Sequence, residues 1–189
     1  MSRTLMAAAA AVIVAALGGC ETMNNLLDDK PAGVTESTQT AAAPAAAQEQ
    51  DVTFVQTAAA AGSKEVALAE LAMDRSGNAA VDGLAQQMVT DHGAANTELM
   101  ALADARDIEV SPAPSEEEAA SEVGLSTLEG AAFDAAYVDQ MVKNHEKSIA
   151  LFETQAAQGT DPALVEFAEE KLPTIRMHLE HARTLQAGM

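Results

Sequence analysis

The sequence predicts an all-α fold, an antiparallel four-helix bundle, and three observations predict it. Apolar residues recur at steps of three and four along four long stretches, the rhythm of a helix with one buried face. Alanine dominates while the aromatics are four phenylalanines and one tyrosine, a composition that packs helices closely and leaves sheets short of aromatic side chains. Gly77-Asn78, Pro112 to Pro114 and Gly159 to Pro162 punctuate the stretches with turn chemistry.

Ahead of the bundle lies a leader. Arg3 gives the first residues a positive charge, and Leu5 to Leu17 form a 13-residue apolar run, which is the grammar of a signal peptide over residues 1–19. Such a run reaches roughly 20 Å as a helix, short of the roughly 30 Å of a bilayer core, so a permanent span is the weaker reading. It ends in Leu17-Gly18-Gly19-Cys20, which resembles a bacterial lipobox, and the chain's one cysteine becomes a lipidation site. Otherwise an exported chain with a single thiol suggests an intermolecular disulfide. Several acyl chains on Cys20 suffice for stable anchoring. Glu21 stands where the commonest inner-membrane retention signal has Asp, which favours the outer membrane. Residues 20–50 hold Pro31, Gly33, Pro44 and many Ala, Thr and Gln without apolar periodicity, and read as a flexible tether.

Residues 51–187 are the bundle domain. Helix one is expected over Val52 to Asp74, capped by Asp51, with Phe54, Ala58, Ala61, Glu65, Leu68 and Ala72 facing inward. Glu65 interrupts that row: an acidic group there needs a proton, a cation or a hydrogen-bond partner, or else sits at the bundle's edge. After Gly77-Asn78, helix two runs to about Arg106 with the row Val81, Ala85, Met88, His92, Ala95, Leu99, Leu102, in which His92 is the one polar member. Asp91 stands one position round the cylinder, placed to meet a neighbouring helix rather than His92 on its own.

The connection from Asp107 to Leu125 contains two prolines, and Ser115 with Glu118 reads as a capping box opening a short helix. It is long enough to cross between the ends of helices two and three, as in ferritin-like bundles. A second such box, Ser126 with Glu129, is expected to open helix three, which runs to about Gln158 and turns Phe133 or Asp134, Tyr137, Met141, His145, Ser148 and Phe152 to one side. Gly159 ends it, and Asp161-Pro162 starts helix four by the favoured cap-then-proline order. Leu164, Ala168, Leu172, Ile175, Leu179 and Ala182 form its stripe, His178 and His181 flank it, and Pro173 is expected to kink it.

A phrase occurs twice: Gln87-Met88-Val89-Thr90-Asp91-His92 and Gln140-Met141-Val142-Lys143-Asn144-His145. It sets a thioether one turn before an imidazole on two helices. The candidate metal ligands are Glu65, Asp91, His92, Asp134, His145, His178 and His181, a set that suits copper, zinc, iron or manganese, with methionine sulfur favouring reduced copper. The alternative is a buried hydrogen-bond network between histidines and carboxylates, with Met88 and Met141 as gap-filling core.

Several function classes fall away. The net charge of −19, from 29 acidic and 10 basic residues, repels nucleic acid and anionic lipid, so any membrane attachment rests on the lipid anchor. There is no glycine-rich phosphate loop, hence no nucleotide chemistry. Glu-x-x-His is absent, which argues against di-iron oxidase chemistry, and Ser148 lacks a base and orienter for acyl transfer.

Phe54-Val55 with Ala58, Glu65-Val66, the Gln87 to His92 phrase, the run Gly130 to Tyr137, His145-Glu146 and the run Leu172 to Leu179 together resemble the bacterial exported family known as domain of unknown function 4142, placed among ferritin-like bundles. The resemblance implies a four-helix fold and export, and carries no settled activity. Two functions are therefore expected. The first is a non-enzymatic structural or stress-related lipoprotein on the periplasmic face of a bacterial membrane, binding an envelope protein or wall component. The second is a bundle that binds a transition metal as reservoir, sensor or redox site.

Overall fold

Four long helices build the computed structural model, which describes residues 42–111 and 124–189: α1 (Ala42–Arg75), α2 (Ala79–Asp104), α3 (Gly130–Gln158) and α4 (Pro162–Ala187). No strand occurs among the described residues, and none of their helices is long and apolar enough to cross a membrane. The leader, Cys20, the tether up to residue 41 and the Ser115–Glu118 box lie outside the described residues.

The topology follows from which ends meet. Asp51 near the start of α1 bonds Thr160 beyond the end of α3, and Arg75 at the end of α1 bonds the Ser126 carbonyl ahead of α3, so α1 and α3 are antiparallel. Arg106, just past α2, pairs with Asp161 at the start of α4, and Asp91 meets His178, so α2 and α4 are antiparallel too. Helices α1 and α2 form one hairpin and α3 and α4 the other. The end of α2 and the start of α3 therefore lie at opposite ends of the bundle.

Two element ends differ from expectation. Helix α1 begins at Ala42, inside the stretch read as a tether, because Ala45 to Gln50 are good helix formers with no breaker among them. Asp51 therefore lies inside the helix and caps no part of it; its carboxylate reaches across to the α3–α4 turn. The Ser126–Glu129 box does not form: Glu129 is extended without a side-chain cap, and Gly130 takes φ +56°, a left-handed turn that suits glycine. The other punctuation holds. Asn78 accepts from the Ala80 N–H, and Asp161 accepts from the Ala163 and Leu164 N–H groups with Pro162 in the first turn. Helix α4 continues through Pro173.

The core comes in two apolar blocks. One gathers Leu68, Leu84, Met88, Phe133, Tyr137 and Met141, and the other Phe54, Leu99, Phe152, Leu164, Phe167 and Ile175. On every helix the residue between the blocks is polar: Glu65, His92, His145 and His178, all buried. The expected rhythm thus carries the imidazoles inward, and it stacks them in one layer.

Candidate metal centre

Each helix contributes one side chain to the layer because each apolar row has one polar member at the same height. Glu65 and His145 stand opposite each other on the antiparallel pair α1 and α3, and Asp91 and His178 on α2 and α4. The three rings form a nearly equilateral triangle, with centroids 5.4, 5.2 and 5.4 Å apart. One ring nitrogen from each of His92, His145 and His178 lies within 4.8 Å of the others.

Hydrogen bonds fix the tautomers of two of the rings. The Nδ1–H of His145 donates to the Met141 carbonyl at 2.9 Å, so its Nε2 carries the lone pair, and that Nε2 lies 3.4 Å from Nε2 of His92. The Nε2–H of His178 donates to Asp91 Oδ2 at 2.9 Å, which leaves the lone pair on Nδ1. That Nδ1 is buried and has no hydrogen-bond partner. The Glu65 carboxyl spans the group, Oε2 3.3 Å from His92 Nε2 and Oε1 3.4 Å from His145 Nδ1, and Oε1 also lacks a hydrogen bond.

Burial dominates the electrostatics. It pushes the Glu65 carboxyl up against the opposing pull of His92. It lowers His92 and His178 and brings His145 down to about 4, so the three imidazoles are neutral, the state in which they ligate. In the metal-free protein this couples folding to pH. The unfolded histidines take up protons near 6.5 and the folded ones resist, so their stabilising contribution is present above 6.5 and is lost as the pH falls below it, down to about 4 for His145. Glu65 acts in the opposite sense: its contribution is present below about 4.5 and lost as pH rises, so it offsets part of the histidine effect at the lower end. His145 alone, moved from 6.5 to about 4, accounts for about 3 kcal/mol. Urea midpoints of the apoprotein should drop between pH 7 and 5, and a midpoint that holds steady across that range would contradict the neutral-imidazole layer.

Of the sequence-derived candidates, the fold brings together Glu65, Asp91, His92, His145 and His178. It separates the other two. Asp134 is buried eleven residues before His145 on α3, about 16 Å along the helix, among the first apolar block. His181 lies one turn further along α4 than the layer, half-buried, with Nδ1 3.2 Å from Gln87 Oε1. The part played by the Met141 carbonyl had no signal in the sequence beyond the regular i, i+4 geometry that brings a helical carbonyl near the side chain four residues on. A cavity of about 210 Å³ reaching the layer from one side was also missed; Ala58, Ala61, Gly62 and Ala95 line it, and small side chains on two facing helices are its only sequence trace.

The profile of the family described as a domain of unknown function, DUF4142, matches residues 36–185. Among solved structures, the DUF305 fragment from Deinococcus radiodurans superposes with a TM-score of 0.67 at 20% identity, covering 74% of this chain and 97% of that one. A DUF305 protein from Streptomyces coelicolor, described as secreted, gives 0.65 at 16% identity over 74% and 91%. CopM in its Cu(I)-bound form gives 0.63 at 14% identity over 73% and 96%. These likenesses establish the shared fold. No curated protein sequence matches the chain.

Proposed function

The chain belongs to the DUF4142 family, and from that premise we propose that its bundle binds one transition-metal ion, copper ahead of zinc, between His92, His145 and His178. The observation that carries the proposal is the convergence of three buried imidazoles, one ring nitrogen from each lying within 4.8 Å of the others, with His178 Nδ1 and Glu65 Oε1 left without partners. Two nitrogens that each sit about 2.05 Å from one ion at a tetrahedral angle are about 3.4 Å apart, the separation of His92 and His145 Nε2. With all three nitrogens within 4.8 Å, the third ring has at most about 1.4 Å to close, a side-chain adjustment. Both unpartnered atoms are buried, and a buried polar atom without a partner calls for a proton donor or a cation. The Met141 carbonyl on His145 and the Asp91 carboxylate on His178 are the outer hydrogen bonds that orient metal-bound imidazoles.

Imidazole donors suit copper and zinc, and the affinity order puts copper first. CopM, with the same fold, is known in Cu(I)- and Cu(II)-bound forms. Export, lipidation at Cys20 and attachment to the outer membrane complete the reading, supported by the leader's sequence and by the secreted neighbour. The role is then that of an envelope reservoir or sensor. A purely structural role, possible with an envelope or wall partner, draws its support from the same Met141 and Asp91 hydrogen bonds taken as an end in themselves.

Elemental analysis of protein purified without a nickel column, after incubation with copper and desalting, separates the two. One equivalent of bound metal is expected. Less than about a tenth of an equivalent would leave the structural role alone.

A further inference from the structure

The cavity beside the histidine layer is open on one side of the bundle and touches all four helices. Its floor is Glu65, Asp91, His92 and His178, whereas His145 closes the layer from behind and does not reach it. Its walls are mostly apolar, with Leu99, Phe152, Phe167 and Ile175, and carry Asn96, Glu98, Ser148, Lys171 and Thr174 among them. The space exists because α1 and α2 present Ala58, Ala61, Gly62 and Ala95 to it. At Gly62 the fit is specific: a Cβ there would stand 2.2 Å from Asn96 Oδ1, so glycine lets the Asn96 amide lie against α1 at the cavity wall. Lys171 at the wall is already engaged, bonded to Glu98 at 2.5 Å and lying over the Phe167 ring.

Resting on the metal reading above, we propose that this cavity is a binding pocket for a small neutral nitrogen heterocycle, of imidazole size, whose ring nitrogen takes an exchangeable coordination position on the metal. Size, polarity and charge each point the same way. An apolar cavity of about 150 Å³ holds benzene, so about 210 Å³ accommodates one five- or six-membered ring. Mostly apolar walls above a donor-rich floor select a flat apolar body with a single donor at one end. Anions are disfavoured by Asp91 and Glu65 at the floor, by the net charge of −19 and by Lys171 being spoken for. Binding sites for exchangeable ligands keep three protein donors and leave a position open, and here the open side is the one facing the cavity.

The test uses full-length protein loaded with Cu(II) and titrated with imidazole, followed by its visible and EPR spectra, with metal content measured before and after desalting. Ala61→Leu and Thr174→Leu add side chains at half-buried positions on the cavity wall, outside the ligand set. Helical content and metal stoichiometry of each variant are checked first. The wild type is expected to show a saturable spectral change with the metal retained. The two variants should bind one equivalent of copper and require at least tenfold more imidazole, and azide should compete poorly. A copper-loaded wild type whose spectrum ignores imidazole overturns the pocket and leaves the metal reading standing, as do variants that respond like the wild type or imidazole that strips the metal. A wild type that takes up no copper overturns the metal reading and the pocket with it.

Discussion

Replacing His145 by alanine is expected to weaken metal binding on the order of a hundredfold. Small structural sites hold zinc with about 10–16 kcal/mol in total, so one ligand of four is worth about 3 kcal/mol, which is a factor of that size. His145 is the stringent choice because it lies wholly buried behind the layer. Asp91→Ala removes only the carboxylate that orients His178, and a smaller loss of about tenfold is expected. Competition titrations against a chelator of known affinity give the order wild type, Asp91→Ala, His145→Ala; equal affinities across the three would remove the site. Glu65→Leu adds an independent discrimination. Burial of a carboxyl with one oxygen unpartnered costs stability, so this variant should make the metal-free protein more stable by about 1 kcal/mol or more while weakening metal binding. A layer kept for hydrogen bonding predicts the opposite, a loss of stability.

The fold was legible because each helix announces itself by its stripe, and α2 and α4 by their caps as well. The buried polar layer was legible for a related reason: a single polar residue in an otherwise apolar row is carried inward with it, and the repeated phrase put His92 and His145 at matching positions on two helices. His178 and His181 show the limit of spacing alone. His178 lies three after Ile175 and four before Ala182, on the buried stripe, whereas His181 falls beside that stripe and meets Gln87 instead. Both were candidates from the sequence, and a separation of three does not say which of the two lies on the stripe. Asp134 was likewise plausible by side and wrong by height, since helix periodicity reports the face and leaves the level to be set by the partner helices. Asp51 marks what no local pattern supplies: an acidic residue ahead of an apolar row looks like that helix's cap, and only the tertiary arrangement reveals the turn it serves.

Asp51→Ala is accordingly expected to be among the most destabilising single changes in the domain. The carboxylate is 6% exposed and accepts from Gln155 Nε2 at 2.6 Å, Thr160 Oγ1 at 2.7 Å and the Thr160 and Asp161 backbone N–H groups at 3.1 and 3.0 Å. Desolvation works to raise its pKa, yet these donors prevail and hold it below the ordinary value. Asp161 is at once the cap of α4 and the partner of Arg106 beyond α2, so one carboxylate on α1 helps secure the end of the bundle where three other helices terminate. Alanine would strand several donors at once, at a cost of about 3–4 kcal/mol, which for a domain of this size lowers Tm by about 10 °C. Asp51→Asn keeps an acceptor of the same shape and should lose less. By the same linkage, the stability Asp51 confers is present above about 3.8 and fades as pH falls below it, so the gap between wild type and Asp51→Ala should narrow in acid. Glu65 stands fourteen residues on, about 21 Å along α1, and copper stoichiometry at 20 °C should be the same in Asp51→Ala as in the wild type. A variant that melts with the wild type would show the Thr160 turn to be held without the carboxylate, and one that melts early and also loses its metal would tie the layer to the bundle's end.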